Sequence, residues 1–269
     1  MTSSHFINYQ FFRIKRRLII LYLASTIKDL NIQASDGELG GVKDLYFDDK
    51  FWTIRYLVTD TRKWLPGKKV LLSPLSFDEV DIKNGKVNVL STKDTVKNAP
   101  HQHEDKPVSK QVELDLAIYY GWPTYWSGAG PWSGYNDPYT LADSHSRGLV
   151  KDRMEMSDNG DQHLRSVNEI KGDFFGYRIS AIDGEIGHVS NFIIDDNSWE
   201  ITYLVVETKN ILTGKFRLIA PKWINQIDWV EHRVFVDLTK EQVKQGADYD
   251  PSQSVPQDLE DRILQGYRK

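Results

Sequence analysis

The motif Asp-Gly-Glu-Leu-Gly at residues 36–40 recurs as Asp-Gly-Glu-Ile-Gly at residues 183–187 in a chain of 269 residues. At this spacing of 147 positions the match continues without a gap over residues 36–99 and 183–246. It contains 25 identities in 64 positions, far more than two unrelated stretches share. A repeat of this length indicates a duplicated structural unit, so we expect two copies of one small domain.

Each copy has the residue pattern of short β-strands joined by tight turns. Asp36-Gly37 and Asn84-Gly85 are typical turn dipeptides, because Gly adopts positive φ without strain. Gly40 and its counterpart Gly187 predict a β-bulge just beyond the first turn. Turn signals at this frequency are typical of small all-β domains.

The clearest predicted strand of each copy begins at a tryptophan. Large apolar residues occupy every second position after Trp52 and again after Trp199, and a period of two places one set of side chains on a single face. We therefore expect the face that carries each tryptophan to be the core face. This face consists of Trp52, Ile54, Tyr56 and Val58 in the first copy and of Trp199, Ile201, Tyr203 and Val205 in the second.

These patterns predict a mainly β fold with two small antiparallel β-barrels that arise from an internal duplication. Closure into a barrel removes exposed strand edges. A short helix follows each barrel, with Thr92 or Thr239 as its N-cap, and a helix plus an aromatic-rich linker joins the two. The predicted boundaries are an N-terminal extension at 1–20, the first barrel at 21–100, the linker at 101–165, the second barrel at 166–250 and a helical tail at 251–269.

The linker combines a predicted helix with a segment rich in aromatic residues. Val108 to Tyr120 predicts the helix, with Ser109 as its N-cap. Exposed aromatic side chains at the density that follows promote aggregation, so we expect the segment to be ordered. It would form either the seam between the barrels or a surface that binds a partner. The candidate interaction surface consists of Trp122, Trp126, Trp132, Tyr135 and Tyr139.

The tail carries the signals of a short terminal helix. Ser254 and Gln257 have the spacing of a capping box, in which each residue satisfies a backbone N–H of the other. Leu259 and Ile263 are an apolar pair at helical spacing. We therefore predict one more helix near the end of the chain.

The beginning of the chain resembles the start of an export signal, because basic residues precede the apolar run from Leu18 to Ala24. The run is too short to span a bilayer. Cleavage after Ala24 would also place the bulky Tyr22 where a small residue is required. We therefore expect a cytoplasmic protein without an integral membrane span.

Composition excludes several classes of function. The 34 basic and 38 acidic residues give a net charge of −4, which is too balanced for a general binder of polyanions. The chain has no cysteine, which excludes disulfide bonds, thiolate metal sites and cysteine nucleophiles and fits a cytoplasmic location. Packing and hydrogen bonds must therefore hold the fold together.

The sequence shows no recognisable catalytic motif, since it has no phosphate loop, dinucleotide fingerprint or nucleophile elbow. Asp48-Asp49 and Asp195-Asp196 are typical of hairpin loops, where adjacent side chains point apart. His101 and His103 have a spacing that a metal site can use, but no further ligand is fixed nearby. We therefore expect no catalytic residue, no metal, no cofactor and no enzymatic activity.

Three stretches of the first copy form a combined pattern. They are Asp-Gly-Glu-x-Gly-x-Val from residue 36, Asp-Asp-x-x-Trp-x-Ile-x-Tyr-Leu-Val from residue 48 and Leu-Pro-Gly-Lys-Lys-Val-Leu-Leu-Ser-Pro from residue 65. The pattern resembles the PRC-barrel domain, which is named after the cytoplasmic part of the photosynthetic reaction-centre H subunit. The same domain also lies at the C-terminal end of bacterial ribosome maturation factors. The resemblance covers both copies and implies the barrel fold and a general role in docking onto partners.

The resemblance extends to the linker, which is similar to that of stand-alone bacterial proteins with two such barrels. The chain departs from the better-known members in two respects. Nothing in it resembles the membrane-spanning helix of a reaction-centre H subunit, and no domain of the ribosome-maturation type precedes the first barrel. Neither specific role is therefore expected of this protein.

Several classes of function remain open. A non-catalytic adaptor, as a monomer or a homodimer, would present its barrels and linker to another protein or to a membrane-associated assembly. An RNA-processing or ribosome-assembly factor would use a cationic hairpin whose tryptophan can stack on a base. No motif favours an enzyme, or a protein that binds a small molecule or a pigment. The candidate RNA or anion contacts are Arg62, Lys63, Trp64, Lys68 and Lys69.

Overall fold

The structure is a computed structural model, and it describes residues 20–60, 68–103, 107–150, 164–172, 176–209, 214–246, 248–253 and 255–256. Pro66 and Gly67, which belong to the pattern that resembles the PRC-barrel domain, lie outside these residues. The predicted tail helix from residue 257 onward and residues 1–19 of the N-terminal extension also lie outside them.

The first copy and the linker contain short strands and short helices. The elements of the first copy are β1 (Leu21–Leu23), α1 (Ala24–Lys28), β2 (Asn31–Ala34), β3 (Gly37–Asp48), β4 (Thr53–Thr59), β5 (Lys68–Leu72), a 3-10 turn (Pro74–Ser76), β6 (Phe77–Asp81), β7 (Lys86–Val89) and α2 (Lys93–Lys97). The linker contains β8 (Gln102–His103), α3 (Lys110–Tyr120) and α4 (Pro138–Ser146). Helix α4 was not predicted; Asp137 is its N-cap.

The second copy repeats the elements of the first. They are β9 (Leu164–Ser166), α5 (Val167–Lys171), β10 (Arg178–Ala181), β11 (Gly184–Asp195), β12 (Ile201–Glu207), β13 (Phe216–Ile219), a 3-10 turn (Pro221–Trp223), β14 (Ile224–Asp228), β15 (Arg233–Val236) and α6 (Lys240–Gln245). The duplication seen in the sequence is therefore a duplication of structure.

The strands form two mixed sheets. Strands β6-β7-β2-β3-β4-β5-β8 follow one another in the first sheet, and β13-β12-β11-β10-β15-β14 in the second; both orders are open paths. Each sheet contains one parallel pair, β2 with β7 and β10 with β15. The prediction of purely antiparallel sheets is therefore wrong. Turn dipeptides indicate hairpins, which pair antiparallel, whereas a parallel pair joins distant strands and leaves no local signal.

Each copy contributes its first strand to the sheet of the other copy. Strand β1 pairs with the C-terminal end of β11, where Tyr22 lies opposite Ile194. Strand β9 pairs in the same way with β3, where Arg165 lies opposite Phe47. The two copies therefore exchange strands within one chain, and neither sheet is complete without the other copy.

Equivalent polar contacts anchor the two exchanged segments. Asn191 Nδ2 donates to Ser25 Oγ at 2.8 Å, and the Ser25 N–H donates to Asn191 Oδ1 at 3.4 Å. At the matching place the Asn168 N–H donates to Asp44 Oδ1 at 3.1 Å. Burial raises the pKa of Asp44. Asp44 and Asn191 occupy the same position of the repeat, so each copy binds the segment of the other in the same way.

A second reciprocal contact joins the starts of β4 and β12. The Ile54 N–H donates to the Trp199 carbonyl at 2.8 Å, and the Ile201 N–H donates to the Trp52 carbonyl at 2.6 Å. Both tryptophans have positive φ, 53° at Trp52 and 61° at Trp199. This conformation is uncommon for residues other than Gly and is retained here because the surrounding contacts fix it.

Strand β4 is buried on both faces, which corrects the prediction of a single core face. Thr53, Arg55 and Leu57 are fully buried, as is Ile54 on the opposite face. Alternation in the sequence indicates a strand with one solvent-exposed face. In β4 the face that was expected to be exposed is covered by the linker and the second copy. The tryptophans precede their strands and do not belong to the alternating pattern.

Local signals in the sequence were confirmed where they depend on backbone geometry. The pairing shifts register beside Gly40 and Gly187, as the predicted bulges require. A Cβ on Gly187 would lie 1.9 Å from the Glu207 carbonyl oxygen, so no larger residue fits there. The predicted N-caps Thr92, Ser109 and Thr239 all accept a hydrogen bond from the backbone of the first helical turn.

Strand exchange predicts how two halves of the chain behave when they are expressed as separate polypeptides. Residues 1–150 and 151–269 should co-purify as a 1:1 complex, because each half holds a strand that belongs to the sheet of the other. Size-exclusion chromatography with light scattering would measure the stoichiometry. Two folded, monomeric halves that do not associate would contradict the exchange.

Candidate functional site

The aromatic segment of the linker packs between the two copies. Trp132 is fully buried, and its Nε1 donates to the Ser198 carbonyl at 2.7 Å. Tyr139, on α4, accepts a hydrogen bond from Trp199 Nε1 at 3.1 Å. Helix α4 itself packs against the 3-10 turn at Pro74–Ser76. The linker therefore joins the first copy to the second along a buried seam.

A buried arginine lies under this linker. Arg55 is fully buried and forms an ion pair with Asp48. Its guanidinium carbon is 3.8 Å from the centre of the Tyr125 ring and 4.6 Å from that of Trp132. Nη1 and Nη2 have no hydrogen-bond partner among the described residues, so the aromatic rings are their main neighbours.

Helix α3 adds a second charged pair beside Arg55. Glu113 accepts hydrogen bonds from Tyr125 Oη at 2.7 Å and from Lys110 Nζ at 3.2 Å, and it also bonds to Tyr56. Burial, together with the negative charge of Glu113, raises the pKa of both tyrosines far above its usual value. Burial lowers the pKa of Lys110. This cluster fixes α3 on the first copy.

The second copy carries a groove at the place where the first copy is covered by the linker. Its volume is about 930 Å³. Phe51 and Trp52 of the first copy line it from one side, and Tyr203, Pro221, Lys222 and Ile224 line it from the other. We call this surface the groove. It combines residues of both copies.

The groove is the counterpart of the surface that the linker buries. The 3-10 turn Pro74–Ser76 of the first copy is entirely buried, whereas no residue of the matching turn Pro221–Trp223 is. Trp199 is 1% exposed under the linker, while Trp52 is only partly buried at the groove. The same surface is thus closed in one copy and open, over the described residues, in the other.

Charged residues surround the aromatic floor of the groove. Lys50 Nζ lies 5.1 Å from the centre of the Phe51 ring, and Lys222 Nζ lies 5.3 Å from that of Trp223. Burial and the neighbouring Asp195 raise the pKa of Glu200. The groove therefore suits an apolar or aromatic segment with polar groups at its edges.

The linker residues predicted to bind a partner have unequal exposure. Trp122 and Trp132 are buried within the chain and are not available at the surface. Trp126, Tyr135 and Tyr139 keep partial exposure. Trp126 lies beside Lys110, whose Nζ is 3.6 Å from its ring centre. The seam is the structural role that these contacts support, and a partner contact through the exposed residues stays a prediction.

The candidate RNA contacts are described only in part. Arg62, Lys63 and Trp64 lie outside the described residues. Lys68 and Lys69 begin β5 and pair with β8, and Lys69 Nζ is 5.4 Å from the centre of the Tyr46 ring. An RNA contact at this hairpin therefore stays a prediction.

Asp49, Asp195 and His101, which were considered for chemistry, have structural partners. Asp49 pairs with Arg165 of the exchanged strand β9 at 2.9 Å, and Asp195 accepts from the N–H groups of its own turn. His101 Nδ1 lies 3.1 Å from the Ala99 carbonyl. The side chain of His103 lies outside the described set. No group of three or more metal-ligating side chains occurs among the residues that the structure describes.

The two repeat tryptophans should differ in their contribution to stability. Trp199→Ala should lower the free energy of unfolding by about 3 to 5 kcal/mol, because it empties a buried site between Phe77 and Tyr139. Trp52→Ala should cost about 1 kcal/mol, because Trp52 keeps solvent contact. Urea unfolding would compare the two variants. Equal losses would contradict the asymmetry between the two surfaces.

Asp48→Ala should destabilise the protein by about 3 to 5 kcal/mol, because it leaves the charge of Arg55 buried without its counterion. Asp195→Ala is the matched control at the same repeat position, where Thr202 replaces the arginine, and it should cost about 1 kcal/mol. Thermal unfolding would measure both. The double variant Asp48→Ala/Arg55→Met should recover most of the loss, and failure to recover would contradict this explanation.

Comparison with known proteins identifies both copies. The family model of the PRC-barrel domain matches residues 20–96 and 172–243. No curated protein matches the chain. None of the helices in the described ranges has the length and the apolar character needed to cross a membrane.

Proposed function

Because the chain belongs to the PRC-barrel family, we propose that it is a non-catalytic binding protein that docks onto a partner protein, alone or within a membrane-associated assembly, through the groove. The PRC-barrel domain suggests a protein-interaction module and does not by itself name a partner. We also propose that each open sheet wraps into a barrel of this family type and that the protein works in the cytoplasm.

One observation carries the proposal. In the first copy α4 packs on the 3-10 turn, while Trp132 and Tyr139 cover Trp199, which reaches this surface from the second copy. The second copy presents the matching turn and Trp52 at the groove without such a cover among the described residues. Exposed apolar surface with a polar rim marks interaction sites in soluble proteins. The way in which the linker covers the first copy supports an apolar or aromatic segment as the occupant of the groove.

The partner is expected to supply an aromatic or aliphatic anchor. In the first copy the anchor is Trp132, which enters with its ring nitrogen bonded to a backbone carbonyl. At the groove Phe51 takes the position of Ser198, and Lys222 takes that of Leu75, so the floor stays apolar while the rim becomes cationic. A partner segment with an apolar anchor and an acidic residue nearby matches this surface.

A site-specific crosslink would test the proposal in the intact protein. The photoreactive residue p-benzoylphenylalanine would replace Phe51 at the groove and, as the control, Val230, which is 87% exposed and does not line the groove. We expect a protein adduct from position 51 and none from position 230. Mass spectrometry of nuclease-treated and untreated extracts would separate protein from RNA partners.

Phe51→Ser should lower the yield of a second crosslink, placed at Lys222, by about tenfold, because loss of a buried aromatic contact costs about 1.4 kcal/mol of binding free energy. Val230→Ser should leave that yield unchanged. Equal adducts from positions 51 and 230, or an adduct that nuclease removes, would contradict a protein-binding groove.

A further inference from the structure

The groove keeps the carboxylate of a charged pair whose arginine is present only in the first copy. In the first copy Asp48, at the end of β3, forms an ion pair with Arg55 of β4. The counterpart of Asp48 is Asp195, whereas the counterpart of Arg55 is Thr202. Both Asp195 and Thr202 line the groove. The second copy therefore retains the acceptor for a guanidinium without supplying the guanidinium.

Asp195 is arranged for such a partner in the same way as Asp48. Asp48 accepts an N–H of its own turn with Oδ1 and binds Arg55 with Oδ2. Asp195 also accepts two turn N–H groups with Oδ1, at 2.7 and 3.0 Å, and in the described part of the chain its Oδ2 accepts no hydrogen bond. Thr202 does not compensate, because its Oγ1 donates to the Ile193 carbonyl at 3.1 Å.

A second carboxylate lies beside Asp195 at the groove. Glu200 immediately precedes β12, lines the groove and is half-buried. Burial raises the pKa of Glu200, and the negative charge of Asp195 raises it further. Arg55 acts in the opposite direction, but it is already paired with Asp48. The two carboxylates of the groove therefore repel each other, and a cation bound between them would relieve the repulsion.

The aromatic residues of the groove favour a guanidinium over an ammonium group. In the first copy the guanidinium carbon lies 3.8 Å from the centre of the Tyr125 ring and 4.6 Å from that of Trp132. At the groove Phe51, Trp52 and Tyr203 supply aromatic rings. A guanidinium stacks on such rings and can donate two parallel hydrogen bonds to a carboxylate, whereas an ammonium group is a more strongly hydrated point charge.

We propose that the groove binds an arginine side chain of the partner protein, with its guanidinium paired with Asp195 and beside Glu200, at the place that Arg55 occupies in the first copy. Lys50 and Lys222 still favour an acidic residue at the rim. The partner segment thus carries an arginine next to its apolar anchor and an acidic residue farther out. This inference deepens the proposed function and rests on it for the use of the groove as the binding surface.

Two small probes would test the guanidinium site on the purified full chain. They are N-acetylarginine amide and its neutral isostere N-acetylcitrulline amide, and the NMR signal of the Trp52 indole N–H would report binding at the groove. We expect a saturable shift and about tenfold tighter binding of the arginine probe, because only that probe forms a charge-assisted hydrogen bond with Asp195.

Two variants make the probe experiment specific. Asp195→Asn should remove the difference between the probes, because asparagine keeps the oxygen that accepts from the turn but loses the charge. Glu231→Gln should leave the difference unchanged, because Glu231 is exposed and does not line the groove. Circular dichroism would confirm that both variants remain folded.

A second experiment would test whether the arginine comes from a protein. With p-benzoylphenylalanine at position 51, Thr202→Arg should lower the yield of the partner adduct about tenfold, because the new guanidinium would occupy the carboxylate of Asp195. Thr202→Met, which adds an unbranched side chain without charge, should leave most of the adduct. Mass spectrometry should find an arginine in the crosslinked partner segment.

Three results would overturn the proposal: equal affinities for the two probes, a difference between them that survives Asp195→Asn, and equal loss of the adduct with Thr202→Arg and Thr202→Met. The two proposals can fail separately. A protein adduct from position 51 without any dependence on arginine would keep the groove as a docking surface and reject the guanidinium site. Arginine-specific probe binding without any protein adduct would reject the docking function and the partner arginine with it.

Discussion

The exchange of β1 and β9 is the constraint on which the rest of the structure depends. Strand β1 pairs with the end of β11, and β9 pairs with the end of β3. Each of these short strands thereby satisfies backbone groups that the other copy cannot pair by itself. Together with the reciprocal hydrogen bonds at Trp52 and Trp199, the exchange fixes the position of one copy against the other. The groove, which takes residues from both copies, exists only because this arrangement holds.

Arg55 explains why two nearly equal copies have different surfaces. A fully buried guanidinium requires a counterion and neighbours that exclude water, and Asp48, Tyr125 and Trp132 supply them. The second copy has Thr202 at that position and carries no such requirement. A surface that need not be sealed for stability is available for binding. The copy with Arg55 therefore has its surface buried as a structural seam, and the copy with Thr202 has the same surface open as a candidate binding site.

How much the sequence could predict depended on the range of the interactions. The bulges at Gly40 and Gly187 and the caps at Thr92 and Thr239 depend on neighbouring residues, and they were predicted correctly. The family pattern predicted the PRC-barrel domains. Trp52 and Trp199 have the same sequence context but different burial, because distant linker residues cover only one of them. The parallel pairs and the strand exchange likewise join segments far apart in the sequence.

The groove was missed for the same reason, although the sequence contained a signal. Its residues come from two copies that the repeat pattern treats as separate domains. The positions where the copies differ marked it: Leu75 becomes Lys222 and Phe77 becomes Ile224, so the second surface is more polar and less bulky. A position at which two internal repeats differ in residue type can therefore indicate that its environment in the structure differs between the two copies.

Strand exchange also has a consequence for the ribosome-bound chain. Strand β1 is among the first described residues to be synthesised, yet its partner β11 ends at Asp195, more than 170 residues later. At ordinary rates of translation this interval is on the order of ten seconds. For most of it the nascent first copy also lacks β9, so an incomplete sheet edge is present while neighbouring polysomal chains are being made. Cotranslational folding of this protein is therefore delayed by topology, since β9 and β11 of the second copy must emerge before the exchanged strand pairs can form.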